Sequence, residues 1–101
     1  MATQWYILRD RTPVPVQLAE AVQWQEEDPG RRFVARTGTG ELGVSTVFLG
    51  ASMGDSDAGP LLFETRIFGG HHHGKVEHTA TWEAAEACHE RMCELIALCI
   101  N

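Results

Sequence analysis

Gly43-Val-Ser-Thr-Val-Phe-Leu-Gly50 and Pro60-Leu-Leu-Phe-Glu-Thr-Arg-Ile-Phe-Gly-Gly70 are the two runs of sequence that decide the fold. Both runs are rich in β-branched and aromatic residues and are bounded by glycines, a pattern typical of strands. Successive side chains of a strand point to opposite faces of its sheet. This alternation gives each strand an apolar face, formed by Val44, Thr46 and Phe48 in the first and by Leu61, Phe63, Thr65 and Ile67 in the second.

The other face of the second strand is mixed in character. It carries Leu62, Glu64, Arg66 and Phe68. A sheet with one apolar face must bury that face against another layer, so the pattern predicts helices as its cover. The mixed face is then available for binding.

Patterns in the rest of the chain predict further strands at residues 4–9, 31–37 and 75–80. Residues 38–41 are typical of a hairpin connection. In the strand at residues 31–37, alternation places Phe33 and Ala35 opposite Arg36.

Two helices are predicted. Pro13 and Pro15 delay the first helix until about Val16, because proline is tolerated only in the first turn of a helix. Its predicted apolar face consists of Leu18, Ala21, Val22 and Gln25. The second helix covers residues 82–99 after the N-cap Thr81, and its predicted apolar stripe consists of Ala85, Cys88, Met92, Leu95 and Cys99.

Together these elements predict an α+β fold with an antiparallel sheet of four to five strands and two helices, in the order β-α-β-β-β-β-α. The 101 residues fit a single domain, residues 1–101, and the small core that such a length allows favours oligomerisation.

Composition narrows the class of function. The formal net charge is −6 and the pI is near 5.2, which argues against a duplex nucleic acid as partner because that ligand needs a broad basic face. A small phosphorylated ligand, which needs two or three arginines, stays possible.

The apolar run near the start is too short for a signal peptide and nothing approaches a membrane span, so we expect no membrane partner. Three cysteines near the end form no disulfide framework and favour the cytoplasm.

The histidines are the first candidates for chemistry. His71, His72, His73 and His78 cluster in the sequence, and His89 lies four residues before Cys93 on the predicted helix. We interpret the three consecutive histidines as a solvated loop, with metal binding as the alternative. The cysteines resemble small buried hydrophobic residues. Because no catalytic constellation emerges, we expect a protein that is not an enzyme and needs no cofactor.

The arginines are more informative. Four arginines fall on predicted strands or at their ends; they are Arg31, Arg32, Arg36 and Arg66. Arg66 shares a face with Phe68. Arginine beside an aromatic ring suits a ligand with a phosphate and a base, since the guanidinium binds phosphate in bidentate fashion and stacks on rings. The alternative is a set of surface ion pairs, each contributing little.

Several segments in order along the chain resemble a family of small phage and prophage proteins. These are residues 5–10, 31–37, 44–50, 60–65, 67–70 and 81–86 followed by His89. Within that group the chain resembles the phage Thoeris anti-defence sponges. The resemblance implies a viral, oligomeric binding protein of the infected bacterial cytoplasm that sequesters a cyclic ADP-ribose-type immune signal without cleaving it. It implies ligand contacts from Arg31 or Arg32 and from the strand Phe63–Phe68.

The predicted ligand site therefore consists of Arg31, Arg32, Arg36, Phe63, Arg66 and Phe68, with no catalytic or metal residue. Two alternatives stay open. One is a protein-binding inhibitor of host machinery that acts through an acidic helix stripe, formed by Glu83, Glu86, Glu90 and Glu94. The other is a small metal-binding protein that uses the histidine cluster.

Overall fold

The computed structural model describes the backbone of residues 3–100 and the side chains of residues 3–97. The strands are β1 (Trp5–Arg9), β2 (Thr12–Val16), β3 (Phe33–Gly38), β4 (Gly43–Phe48), β5 (Asp55–Ser56), β6 (Gly59–Pro60), β7 (Phe63–Phe68) and β8 (Val76–Thr79). The helices are α1 (Leu18–Glu27) and α2 (Trp82–Ile100), and a 3-10 turn covers Pro29–Arg32. The predicted α+β class is confirmed.

A four-stranded antiparallel sheet in the order β3-β4-β7-β8 forms the centre of the fold. β1 and β2 form a separate hairpin, and β5 and β6 form a second, short hairpin in the loop between β4 and β7. The β1–β2 hairpin joins the end of β4 through a bridge between Trp5 and Ala51 and a 2.8 Å hydrogen bond from the Tyr6 amide to the Gly50 carbonyl.

One face of the main sheet is buried under α2. The fully buried residues on this face of the sheet are Val44, Thr46, Phe48, Phe63, Thr65 and Ile67. This face packs against Ala85, Cys88 and Met92 of the helix. The alternation predicted for β4 and β7 is therefore confirmed. Leu62 is the exception: it was assigned to the mixed face but is only 2% exposed. It lies just before β7, where its amide donates to the Thr79 carbonyl at 3.0 Å and its side chain enters the core.

The first hairpin departs from the sequence prediction. No strand was predicted between residue 9 and the helix expected from about Val16, but residues 12–16 form β2, in which Pro13 lies opposite Leu8 and Pro15 opposite Tyr6. An edge strand tolerates proline at positions that need not donate to the partner strand. Pro13 and Pro15 are two residues apart, so both lie at equivalent positions of this edge strand. They therefore delay the helix but are compatible with a strand.

α1 also packs differently from the prediction. Ala21 is buried, and the half-buried Trp24 contacts Phe48 edge to face at a centroid distance of 5.8 Å. Leu18 and Val22 instead remain 51% and 45% exposed. The large ring of Trp24 determines which side of the helix faces the core, since an aromatic side chain buries more area than either aliphatic one.

α2 begins as predicted. The Thr81 hydroxyl accepts a 3.1 Å hydrogen bond from the Ala84 amide, as an N-cap does. Cys99, which was assigned to its apolar stripe, lies outside the described side chains. Within residues 3–100, no helix combines the length and the apolar character needed to cross a membrane.

A chain of polar groups runs from Thr37, an exposed residue of β3, into the core. His89 of α2 is 5% exposed, and its Nε2 and Nδ1 atoms lie 2.9 Å from the Thr37 hydroxyl and 2.8 Å from the Thr46 hydroxyl. Thr46 in turn bonds Thr65 at 2.9 Å. Buried polar groups are tolerated when they are hydrogen-bonded, and this chain joins the helix to three neighbouring strands.

We expect Thr46→Val to destabilise the protein by about 1–3 kcal/mol, because it leaves His89 Nδ1 buried without its hydroxyl partner. Urea denaturation measures this loss. Thr12→Val, at an exposed strand position, is the matched control and should change the free energy of unfolding by less than about 0.5 kcal/mol. Equal effects of the two substitutions would contradict the assigned role of the buried chain.

We also expect stability to depend on pH through His89. Desolvation by burial lowers the pKa of His89 below its usual value of 6.5, against a smaller opposing effect of Glu90. The unfolded chain then binds more protons than the folded one, so the stabilisation is full above pH 6.5 and is lost as pH falls from there toward the folded pKa. Urea titrations at about pH 7.5 and about pH 5.5 should show a smaller difference for His89→Gln than for His71→Gln.

Candidate functional site

The face of the main sheet that points away from α2 is the candidate site. Ser45 lies at its centre, paired with Arg36 of β3 on one side and with Arg66 of β7 on the other. Because neighbouring strands are about 4.8 Å apart, the two arginines start about 10 Å from each other. We call this surface the outer face; it consists of Phe33, Arg36, Ser45, Val47, Glu64, Arg66, Phe68, Val76 and His78.

An aromatic ring positions one of these arginines. Phe68 is paired with Gly43, and a Cβ atom added to Gly43 would lie 2.7 Å from the Phe68 ring. The missing side chain thus lets the ring lie across β4, where the Arg36 guanidinium is 5.6 Å from its centroid. This cation–π contact holds Arg36 over the sheet instead of leaving it extended into solvent.

The second arginine belongs to a small charged cluster. Arg66 Nη2 lies 3.7 Å from Glu64 Oε2, and His78 Nε2 lies 3.2 Å from the other oxygen of that carboxylate. The Arg66 side chain is 53% exposed, and an exposed ion pair contributes little to stability. A phosphate, which accepts bidentate hydrogen bonds from arginine, can therefore compete for Arg66 at low cost.

A β-bulge brings Phe33 to the outer face. The sequence pattern placed Phe33 opposite Arg36, but the register shifts between Phe33 and Ala35, so Phe33 and Arg36 face the same way. Phe33 is 41% exposed, and the Arg32 guanidinium lies 5.3 Å from its ring. Sequence reasoning missed Phe33 as a site residue because a bulge at this position has no signature in the residues around it.

Arg31 serves a different purpose. Its guanidinium lies 4.3 Å from the Trp24 ring, donates to the Trp24 carbonyl oxygen and pairs with Glu27 at 3.5 Å. These contacts direct the side chain to α1 and hold the 3-10 turn against the end of that helix. The structure thus does not bring Arg31 together with Arg36 and Arg66.

Phe63 lies in the core. It is 0% exposed, 5.4 Å from the Phe48 ring and 6.3 Å from the Trp82 ring. It belongs to the buried face of β7, so it does not reach a ligand on the outer face, which corrects its inclusion in the predicted site. Strand alternation is the reason, since Phe63 and Arg66 point to opposite sides of the sheet.

The histidines do not assemble into a metal centre. Both ring nitrogens of His89 bond threonines, and His73 Nδ1 accepts from the Gly69 amide at 2.7 Å. Among the side chains of residues 3–97, no three from His, Cys, Asp and Glu are grouped closely enough to hold a metal ion. The metal-binding alternative gains no support from this part of the chain.

Comparisons with protein-family models, with curated proteins and with solved structures give no match to this chain. Function must therefore be inferred from the outer face itself. Its two arginines, a hydroxyl between them and two aromatic rings at its edge can bind an anion that also presents a flat ring.

We expect Gly43→Ala to disturb both the sheet and the site. The added methyl group would meet the Thr37 carbonyl oxygen and the Phe68 ring, so the β3 backbone and the ring must both move, at a cost of about 1–3 kcal/mol. Urea denaturation measures the loss. Gly40→Ala is the matched control, because nothing lies within 4 Å of a Cβ atom there; a similar loss in both variants would contradict the assigned role of Gly43.

Proposed function

We propose that the protein is a phage-encoded, non-enzymatic binding protein that sequesters a cyclic nucleotide immune signal of the cyclic ADP-ribose type. Its effect would be to inhibit host anti-phage defence in the cytoplasm of the infected bacterium. The observation that carries the proposal is the row Arg36–Ser45–Arg66 on an exposed sheet face, with Phe68 beside it. The resemblance to the Thoeris anti-defence sponges supports the same class of ligand.

In the proposed complex, Arg36 and Arg66 neutralise the phosphates of the ligand, and the Ser45 hydroxyl donates to a phosphate oxygen between them. Arg36 also presents a planar guanidinium on which a base can stack, as bases do on arginine in other nucleotide complexes. Phe33, with 41% of its surface exposed, offers a second stacking surface. Binding of this kind requires no bond cleavage.

The proposal includes a homo-oligomer. β3 is an edge strand of the main sheet, and it carries both Phe33 and Arg36. An unpaired strand edge is a surface on which a second copy can pair. A second copy paired at this edge would extend the sheet past Phe33 and Arg36, so that a ligand on the outer face could contact residues of both copies.

A protein-binding inhibitor is the second candidate. The specific observation in its favour is that all four glutamates of the acidic stripe are exposed on α2; they are Glu83, Glu86, Glu90 and Glu94. Exposed glutamates on a helix are also an ordinary solvated surface, so this candidate ranks below the first.

A thermal-shift screen tests the first candidate. The probes are cyclic ADP-ribose isomers and cyclic di- and trinucleotides. A ligand at about 100 times its Kd adds roughly 2.7 kcal/mol to the folded state, which raises the Tm of a domain of this size by roughly ten degrees. We expect a shift of that order with one class of probe, and the nucleotide should be recovered intact after denaturation.

Charge-removing variants locate the site. Arg36→Gln and Arg66→Gln should each weaken binding at least about tenfold, since each removes a charged hydrogen bond to phosphate. Arg91→Gln, at an exposed position of α2, is the matched control and should bind normally. Cleavage of the nucleotide, or the absence of a shift with every probe, would overturn the proposal.

A further inference from the structure

α1 leaves an apolar surface uncovered. Leu18 and Val22 are 51% and 45% exposed, and their spacing of four residues places them next to each other on the helix surface. They border a depression of about 320 Å³, which we call the α1 groove; its lining residues are Trp5, Leu18, Ala21, Val22, Gln25 and Glu26.

The walls of the α1 groove are fixed by the fold. Trp5 is held by its pairing with Val16 and by its bridge to Ala51. Ala21 is buried and forms the floor. A groove with a rigid aromatic wall and a small residue at its base can accept one large apolar side chain without rearrangement.

The charge around the groove is acidic. α1 contains three glutamates and no lysine or arginine. Glu20 pairs with Arg9 at 3.6 Å and Glu27 pairs with Arg31 at 3.5 Å. Glu26, at the rim, forms no ion pair with the side chains of residues 3–97. The rim thus presents a carboxylate without a salt bridge beside an apolar groove, although Arg32 lines a neighbouring depression with it; the net charge of the chain is −6.

We propose that the α1 groove binds a basic amphipathic segment of a partner protein. An apolar side chain of that segment fills the space between Trp5, Leu18 and Val22, and an adjacent lysine or arginine pairs with Glu26. Charge complementarity favours this occupant over a second copy of the chain, because Arg9 and Arg31 already pair with Glu20 and Glu27, so that two copies would bring Glu26 against Glu26. The inference does not depend on the nucleotide ligand proposed for the outer face.

A displayed library of random peptides tests the proposal. Displayed peptides are first selected for binding to the intact wild-type protein. Those that also bind the Val22→Glu variant are then removed. Peptides that survive both steps should carry an aromatic or large aliphatic residue next to lysine or arginine. One such peptide, made synthetically, should bind the wild type and should lose at least about tenfold in affinity with Glu26→Lys, a variant that the selection did not use.

Matched controls separate this site from general effects of charge or exposure. Met53→Glu changes an apolar residue outside the groove that is 60% exposed, and Glu86→Lys reverses a charge on α2; neither should alter the affinity. Recovery of no peptide, recovery of peptides without basic residues, or equal binding to Glu26→Lys would each overturn the proposal. A dimer that sedimentation velocity detects in the wild type but not in Val22→Glu would also overturn it, since the groove would then belong to a second copy.

Discussion

Burial of one sheet face under a single helix is the constraint on which the rest of the structure depends. α2 covers the inner side chains of β4 and β7, and fully burying a Phe or Ile side chain stabilises a fold by about 1.5–3 kcal/mol. α2 packs mainly on β3, β4, β7 and β8, whereas α1 packs mainly on β1 and the 3-10 turn and reaches β4 through Trp24. Because alternate residues of β4 and β7 point to opposite sides, the same two strands form both the buried face and the outer face of the sheet. The outer face carries Ser45, Glu64 and Arg66.

The hydrogen-bonded chain of Thr37, His89, Thr46 and Thr65 explains why α2 has one defined position on the sheet. Apolar side chains can slide past one another at small cost, but His89 must meet Thr37 and Thr46 at hydrogen-bonding distance. A shift of α2 by one residue would leave His89 and Thr46 buried without this hydrogen bond, at about 1–3 kcal/mol each. The chain thus fixes the position of the helix on the sheet, while burial of apolar side chains such as Phe63 and Ile67 supplies the driving force.

Strong periodic patterns could be predicted from sequence, and positions set by tertiary contacts could not. β4, β7 and the buried stripe of α2 follow from spacing alone, as do Arg66 and Phe68 on the mixed face. The strand at residues 12–16 was missed because Pro13 and Pro15 disfavour any regular element locally, and only the neighbouring β1 reveals that they lie on an edge. Phe33 was placed on the wrong face because a bulge reverses alternation, and the buried face of α1 depends on where Trp24 meets Phe48.

Net charge acts in opposite directions on the two surfaces. At physiological ionic strength the Debye length is about 8 Å, so the overall charge of −6 weakly repels an approaching anion, and a ligand on the outer face must be held by close contacts with Arg36 and Arg66. Affinity there depends on geometry, and hence on the Gly43–Phe68 contact that orients Arg36. A basic partner of the α1 groove is instead attracted from a distance, so its association rate should be the quantity most sensitive to salt. Salt dependence thus gives the two surfaces different kinetic signatures, even though they lie on the same small domain.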